Sequence, residues 1–490
     1  MIYTKLRFSI RVASILLVTI VLLGIPPSAT AEHGWGGNLD EFGGFPGKLL
    51  RQEGPFAVET MSAESALARR KNVVVVGHAD PGGGFNADVV AHRNFAYLGS
   101  WGAFEDEEVD FCPSQGVRVY SLRKPSNPVL VATFADEVSE PDLAGTWTEK
   151  VIIEHINTPS FTGDIAAVSI QACAEGAFAG FGLWDVTDPA NPQRLSLYEA
   201  PNTGGSHEIW LQKVGNHAYV YTAIPFSEIS TSPDGGTTPG RADFRIVDVS
   251  DPTNPTDVGE WGAWAELGLF PFYTDEDGVE RANFVHSVMG DGKKAYLSYW
   301  DLGTVILDVT DPTNPVFLGR TEFAANEEGN AHSSWLARGG NLLIQTDEDF
   351  DPSPSEGLET AWGYPRFFDI SDPANPVLLA TFKLPSTTQF PPPSEFEAFS
   401  VHDPKVRGRL AYLSWYSEGV VVLNISRPAN PRLVAQFIPE PAADPLGFLA
   451  PPDVKFPIVW GVFPYKENLV LASDMNSGLW IFRVQHEEDD

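Results

Sequence analysis

The chain has 490 residues with a formal charge of −33, 43% hydrophobic residues, 13 tryptophans and two cysteines. Such a length can bury a large core, and the cysteine content excludes a disulfide-stapled scaffold. The acidic surface repels nucleic acid and anionic lipid, which excludes both as partners.

Residues 1–31 read as an export signal: Lys5, Arg7 and Arg11 are basic, Ala13 to Gly24 is apolar, and Ala29-Thr30-Ala31 is a small-residue cleavage site. The apolar run is shorter than a membrane span needs, so the mature chain is expected to start at Glu32 with no membrane span. Loss of the three basic residues takes the charge from −33 to −36. A secreted, cell-surface or periplasmic address follows, and the charge reads first as solubility outside the cell. Residues 32–71 form a lead-in expected to pack on the next unit.

From Asn72 onward one phrase returns. Asp-Pro-Xaa-Asn-Pro occurs at Asp188 to Pro192, Asp251 to Pro255, Asp311 to Pro315 and Asp372 to Pro376, with variants at Lys124 to Pro128 and Arg427 to Pro431. The steps between the first prolines, from Pro125 to Pro428, are 64, 63, 60, 61 and 55 residues. That spacing fits one four-stranded unit per step. Each copy lies between β-branched runs, as in Val305 to Thr310 and Val316 to Gly319, and so reads as strand, turn, strand. A hairpin precedes it, for example His207 to Leu211 followed by Ala218 to Tyr221. Each unit therefore supplies strands a, b, c and d, which is a propeller blade. A seventh unit begins near Trp460 and stops after Gly478 to Arg483, without its outer strand. Asn72 to Asp80 matches the strand-d pattern of Pro128 to Asp136 and is expected to complete that blade. The predicted fold is all-β: a seven-bladed propeller over residues 72–484, closed by its N-terminal strand, with an acidic tail at 485–490.

The Asp-Val-(Ser/Thr)-Asp-Pro-Xaa-Asn-Pro signature resembles the LVIVD-repeat family of secreted bacterial β-propellers, over about residues 72–484. Lys124 and Arg427 depart from the pattern, as turn variants. The resemblance implies the fold and an exported address, and it implies no particular reaction.

Alternating strands put tight a–b and c–d turns on one face and long b–c and d–a loops on the other, which is the expected working face. Cys112 and Cys173 fall in the b–c loops of blades one and two, where export favours a disulfide over shared metal ligation. Trp101, Trp264 and Trp362 lie in loops and could contact a sugar or peptide, whereas Trp184, Trp261 and Trp480 read as packing between blades. Asp275 to Gly278 hints at a calcium loop but lacks the further ligands.

Five histidines, His155, His207, His286, His332 and His402, fall nine to eleven residues before the strand-b landmark in blades two to six. They predict an arc around the channel mouth, with the equivalent places near Asn86 in blade one and at Trp460 in blade seven. Strand-b ends add carboxylates: Asp301, Asp347 with Glu348 and Asp349, and Asp474. Imidazole with carboxylate suits a divalent transition metal. The favoured subset is His286, His332 and His402 with Asp301 or Asp347; His155 and His207 come second. A repeated histidine can equally be a structural peg between blades. Two functions remain open: an extracellular, monomeric scaffold for a protein or glycan, and a metal-dependent exported oxidase or hydrolase.

Overall fold

A computed structural model describes residues 70–485 apart from 103–112, 203, 276–279, 325, 328 and 351–357. Seven antiparallel sheets carry four strands each in the order a-b-c-d, over residues 86–134, 151–199, 209–261, 287–320, 331–381, 404–437 and 459–484. The last sheet takes its outer strand from the other end of the chain. Val73–Ala79 pairs antiparallel with Gly478–Val484, from Val73 opposite Val484 to Ala79 opposite Leu479. Closure therefore follows the sequence pattern.

The repeated phrase folds as a turn that needs no ligand. In the third blade the Asn254 N–H donates to the Asp251 carbonyl at 3.0 Å, and the Thr253 N–H donates to Asp251 Oδ1 at 3.1 Å. Asp311 and Asp372 repeat both bonds. The variant turns keep only the backbone one, from Asn127 to Lys124 and from Asn430 to Arg427. Each turn also sets the next blade's position. A Cβ on Gly259 would lie 1.9 Å from the Pro312 carbonyl oxygen, and one on Gly319 would lie 2.3 Å from that of Pro373. Only glycine lets strand d approach the neighbouring turn so closely. Strand d carries one extra residue at the same place in blades one to six, for instance Leu318 opposite the step from Ile306 to Leu307. The extra residue bends the outer strand pair and strengthens its twist.

Seven apolar layers separate the blades, such as Tyr221, Phe244 and Trp261 against Val288, Leu297 and Tyr299 between blades three and four. Trp184, Trp261 and Trp480 are buried there. Of the lead-in, Arg70–Lys71 is described, and it adds a fifth strand to the outer edge of blade six against Arg432–Phe437. The signal segment, the rest of the lead-in, the acidic tail from 486 and the Glu276 to Gly278 part of the calcium-like loop lie outside the described residues. No helix of the described residues is long and apolar enough to cross a membrane.

Candidate functional site

Successive a strands contact one another around the ring axis, so one position repeated in each blade builds a layer across it. The first layer holds Ala87, Glu149, His207, His286, His332, His402 and Trp460, counting from blade one. The next residue of each blade forms a second layer: Asp88, Lys150, Glu208, Ser287, Ser333, Asp403 and Gly461. Equivalence is fixed by the backbone: the carbonyls of Lys150, Glu208 and Asp403 accept from Ser169, Ala223 and Ser414 of their own strands b.

The second layer is a closed knot. Lys150 Nζ lies 3.2 Å from Asp88 Oδ2, 3.1 Å from Glu208 Oε1 and 3.3 Å from Asp403 Oδ2, joining blades one, two, three and six. Lys405 donates to Asp403 and covers the Trp335 ring. Ser287 donates to Glu208 and Ser333 to Asp403. Gly461 leaves room for Asp88, whose Oδ1 would lie 2.8 Å from a Cβ there. Burial opposes the charge on Lys150, but Asp403, Asp88 and Glu208 together hold its pKa well above the usual lysine value.

The first layer is not closed. His207 Nε2 faces His286 Nε2 at 2.8 Å. The ring centroids of His286 and His332 are 4.0 Å apart, and those of His332 and His402 are 4.4 Å apart. His402 Nδ1 donates to the Trp460 carbonyl at 2.7 Å, and its Nε2 has no hydrogen-bond partner. Glu149 Oε2 also lacks one and lies 3.5 Å from His207 Nδ1. Glu348, at the end of strand b in blade five, brings Oε2 to 3.4 Å of His332 Nε2, while its other oxygen accepts from the Tyr416 hydroxyl. One ligand atom each of His286, His332 and Glu348 lies within 4.8 Å of the others.

Burial drives the protonation states. It pushes His207 and His402 down to about 3 and holds His286 and His332 well below the ordinary imidazole value. All four rings are therefore neutral at neutral pH. Burial also raises Glu348 to about 8 and Glu149 well above the carboxylate range.

Loops roof this layer on the long-loop face. Phe85, Trp101, Trp362, Phe399, Tyr416, Phe456 and Trp460 form one buried cluster, with Phe350 and Phe448 packed against it. Tyr416 and Trp300 take left-handed backbone conformations, at φ 23° and 45°, and bring their rings 5.2 Å from His402 and 5.5 Å from His286. Such a conformation costs about 1–3 kcal/mol in a non-glycine residue and persists where the surroundings demand it.

The arc thus has four histidines. His155 does not join it: it sits near the far end of strand a, Val151–Asn157, half exposed, with Nδ1 2.7 Å from Asp164. Strand b of blade two is 11 residues long against 7 in blade three, so counting back from a landmark in it stops short of Glu149. Asp301 and Asp347 also face elsewhere. Asp301 accepts from the Ala282 and Asn330 N–H groups, and Asp347 accepts from Gln345 and Arg366. Their pKa values are raised by burial, to about 7 and about 6. Alternation along the strand turns the next residue, Glu348, to the axis instead. Asp474 binds the N–H groups of Ile458, Asn476 and Ser477. Trp101 and Trp362 are buried in the roof rather than presented to a partner, and Trp264 packs half-buried on Phe270. The knot and Glu149 went unread, although a charged residue directly follows His207 and His402.

The model of the LVIVD repeat matches residues 240–261 and 285–322, which are strands c and d of blade three and all four strands of blade four. The chain thus carries LVIVD repeats, and the match supports its assignment to the LVIVD-repeat family. Among solved structures, this LVIVD-repeat propeller is similar to a computationally designed protein, Ika8, at 10% identity and TM-score 0.44, over 84% of this chain and 100% of that one. It is also similar to the β-propeller domain of Cps50 (Swd1) from Myceliophteria thermophila, at 11% identity and TM-score 0.47, over 84% and 99% of the two chains. No curated protein matches it.

Proposed function

We propose that this LVIVD-repeat propeller is an exported binding scaffold whose ligand seats at the channel mouth, on the first layer, and supplies positive charge or hydrogen-bond donors. The contrast between two adjacent layers carries the reading. Every charged member of the second layer is paired, whereas the first leaves His402 Nε2 buried without a partner and gives Glu149 Oε2 only a 3.5 Å approach to His207 Nδ1. An unsatisfied buried polar atom costs about 1–3 kcal/mol. Blade geometry does not demand these groups, since Ala87 and Trp460 occupy the same position in blades one and seven. Histidine pegs would not be dispensable in that way.

His402→Leu is therefore expected to melt at or above the ligand-free parent, gaining up to about 1–3 kcal/mol. In a thermal-shift panel of divalent ions, amines, guanidinium compounds and sugars, at least one class should stabilise the parent and not the variant. A variant that melts lower, with no ligand acting on the parent, would return the histidines to structural pegs.

A metal-dependent oxidase or hydrolase is the second reading. It is favoured by the Tyr416 hydroxyl on Glu348, which sets an acid–base group beside the imidazoles. Export also underlies a proposed Cys112–Cys173 bridge. Cys173 is buried, and Cys112 lies outside the described residues. Peptide mapping of unreduced protein from its native compartment should link the two, with a mature N-terminus at Glu32. Recovery of both as free thiols would remove the bridge.

A further inference from the structure

We infer that the ligand of the first layer is a first-row divalent transition metal ion, held by His286, His332 and Glu348 with His402 and His207 closing the set; this rests on the binding reading above. The decisive geometry is the 2.8 Å approach of His207 Nε2 to His286 Nε2. Each ring is committed through its other nitrogen. His207 Nδ1 lies 2.7 Å from Gln171 Oε1, and that oxygen also accepts from Trp147 Nε1 at 2.8 Å. The indole can only donate, so the amide oxygen faces both groups and His207 Nδ1 must carry a proton. His286 Nδ1 lies 3.2 Å from the His332 carbonyl, which can only accept. Both Nε2 atoms then present bare lone pairs to each other. Two facing lone pairs repel unless a cation lies against them.

His402 follows the same rule. Its Nδ1 donates to the Trp460 carbonyl, which leaves Nε2 as a buried acceptor with no donor. A ligating histidine is commonly oriented by such a bond from its other nitrogen to a carbonyl or carboxylate. Tyr416 does the same for Glu348 by donating to the oxygen that His332 does not face. Three orienting carbonyl or amide oxygens and one phenol thus surround a set of nitrogen and oxygen donors drawn from blades three to six.

A bound proton would not serve as well as a metal ion. It would satisfy the His207–His286 pair alone and leave His402 Nε2 without a partner. The donor type also selects. Neutral imidazoles suit zinc, copper, iron, nickel, cobalt or manganese, whereas calcium and magnesium take oxygen ligands. No thiolate lies among the donors to favour a softer ion.

The test uses the full chain, stripped with a chelator and titrated with zinc or cobalt alone, each read by elemental stoichiometry and cobalt by visible absorption. One ion per chain is expected, with the intense bands of a low-coordinate nitrogen-rich site. His332→Ala and Glu348→Gln should each weaken uptake by about 10–100-fold or more. Glu348→Gln preserves shape and guards against a variant that fails to fold. His155→Ala, on the opposite face, should bind like the parent. Uptake unchanged in both site variants would overturn the assignment, as would no uptake by the parent. If an amine or guanidinium compound stabilises the parent through His402 while no metal does, the metal falls and the binding reading stands.

Discussion

Removing the chain up to Asp80 should convert a soluble, cooperatively melting protein into one that aggregates during refolding. Blade seven would lose its outer strand, leaving Gly478–Val484 as an unpaired edge. Such an edge is a template for pairing with other chains. The apolar layer between blades seven and one would also be opened, because Val76 and Ala79 pack against Leu479 and Ile481. Size-exclusion chromatography with calorimetry gives the outcome. A monomeric deletion variant with the parent's melting temperature would mean that another segment closes the ring.

Lys150→Met is the second large effect, at about 3–5 kcal/mol of lost stability at pH 8, the magnitude expected when one partner of a buried ion pair is removed. Asp403 would keep Lys405, while Asp88 and Glu208 would lose the ammonium that pairs them. The deficit should depend on pH. Burial raises Glu208 to about 7 despite Lys150 beside it, so its contribution to stability is present at low pH and lost as pH rises through about 7. Without Lys150 that value climbs further and the loss at pH 8 deepens. Burial would raise Asp403 as well, but Lys150 and Lys405 hold it well below the ordinary value. Its contribution stands above about pH 3.9, the unfolded value, and is lost only as pH falls towards the folded one. Loss of Lys150 shrinks that contribution throughout the neutral range. The variant should accordingly recover towards the parent between pH 8 and pH 5 in thermal melts. A deficit of equal size at both pH values would assign the effect to lost packing instead of charge.

Much of the fold was legible because its punctuation is chemical. Proline fixes φ, and the Asp carboxylate captures a backbone N–H two residues on, so the turn phrase carries its own geometry wherever it stands. The bulge beside each turn leaves no such mark, since any apolar residue can occupy it. The site was legible only in part. His207, His286, His332 and His402 announce themselves by type, but the ring of seven positions also holds an alanine and a glutamate, which no histidine count finds. Blade two hid its member for a simple reason: its longer hairpin moves Glu149 away from the landmark. Asp347 and Glu348 differ by one residue, and only strand direction decides which one meets the axis.

Val73 pairs with Val484, so the first described blade strand can be placed only once the last has left the ribosome. Closing so large a loop costs little extra free energy, because the entropy penalty grows only as the logarithm of length. It does cost time, since distant pairings form slowly. Until that moment the two closing strands hang free beside six finished or forming blades. A polypeptide built this way stays open during its own synthesis, and the finished ring records that both strands arrived.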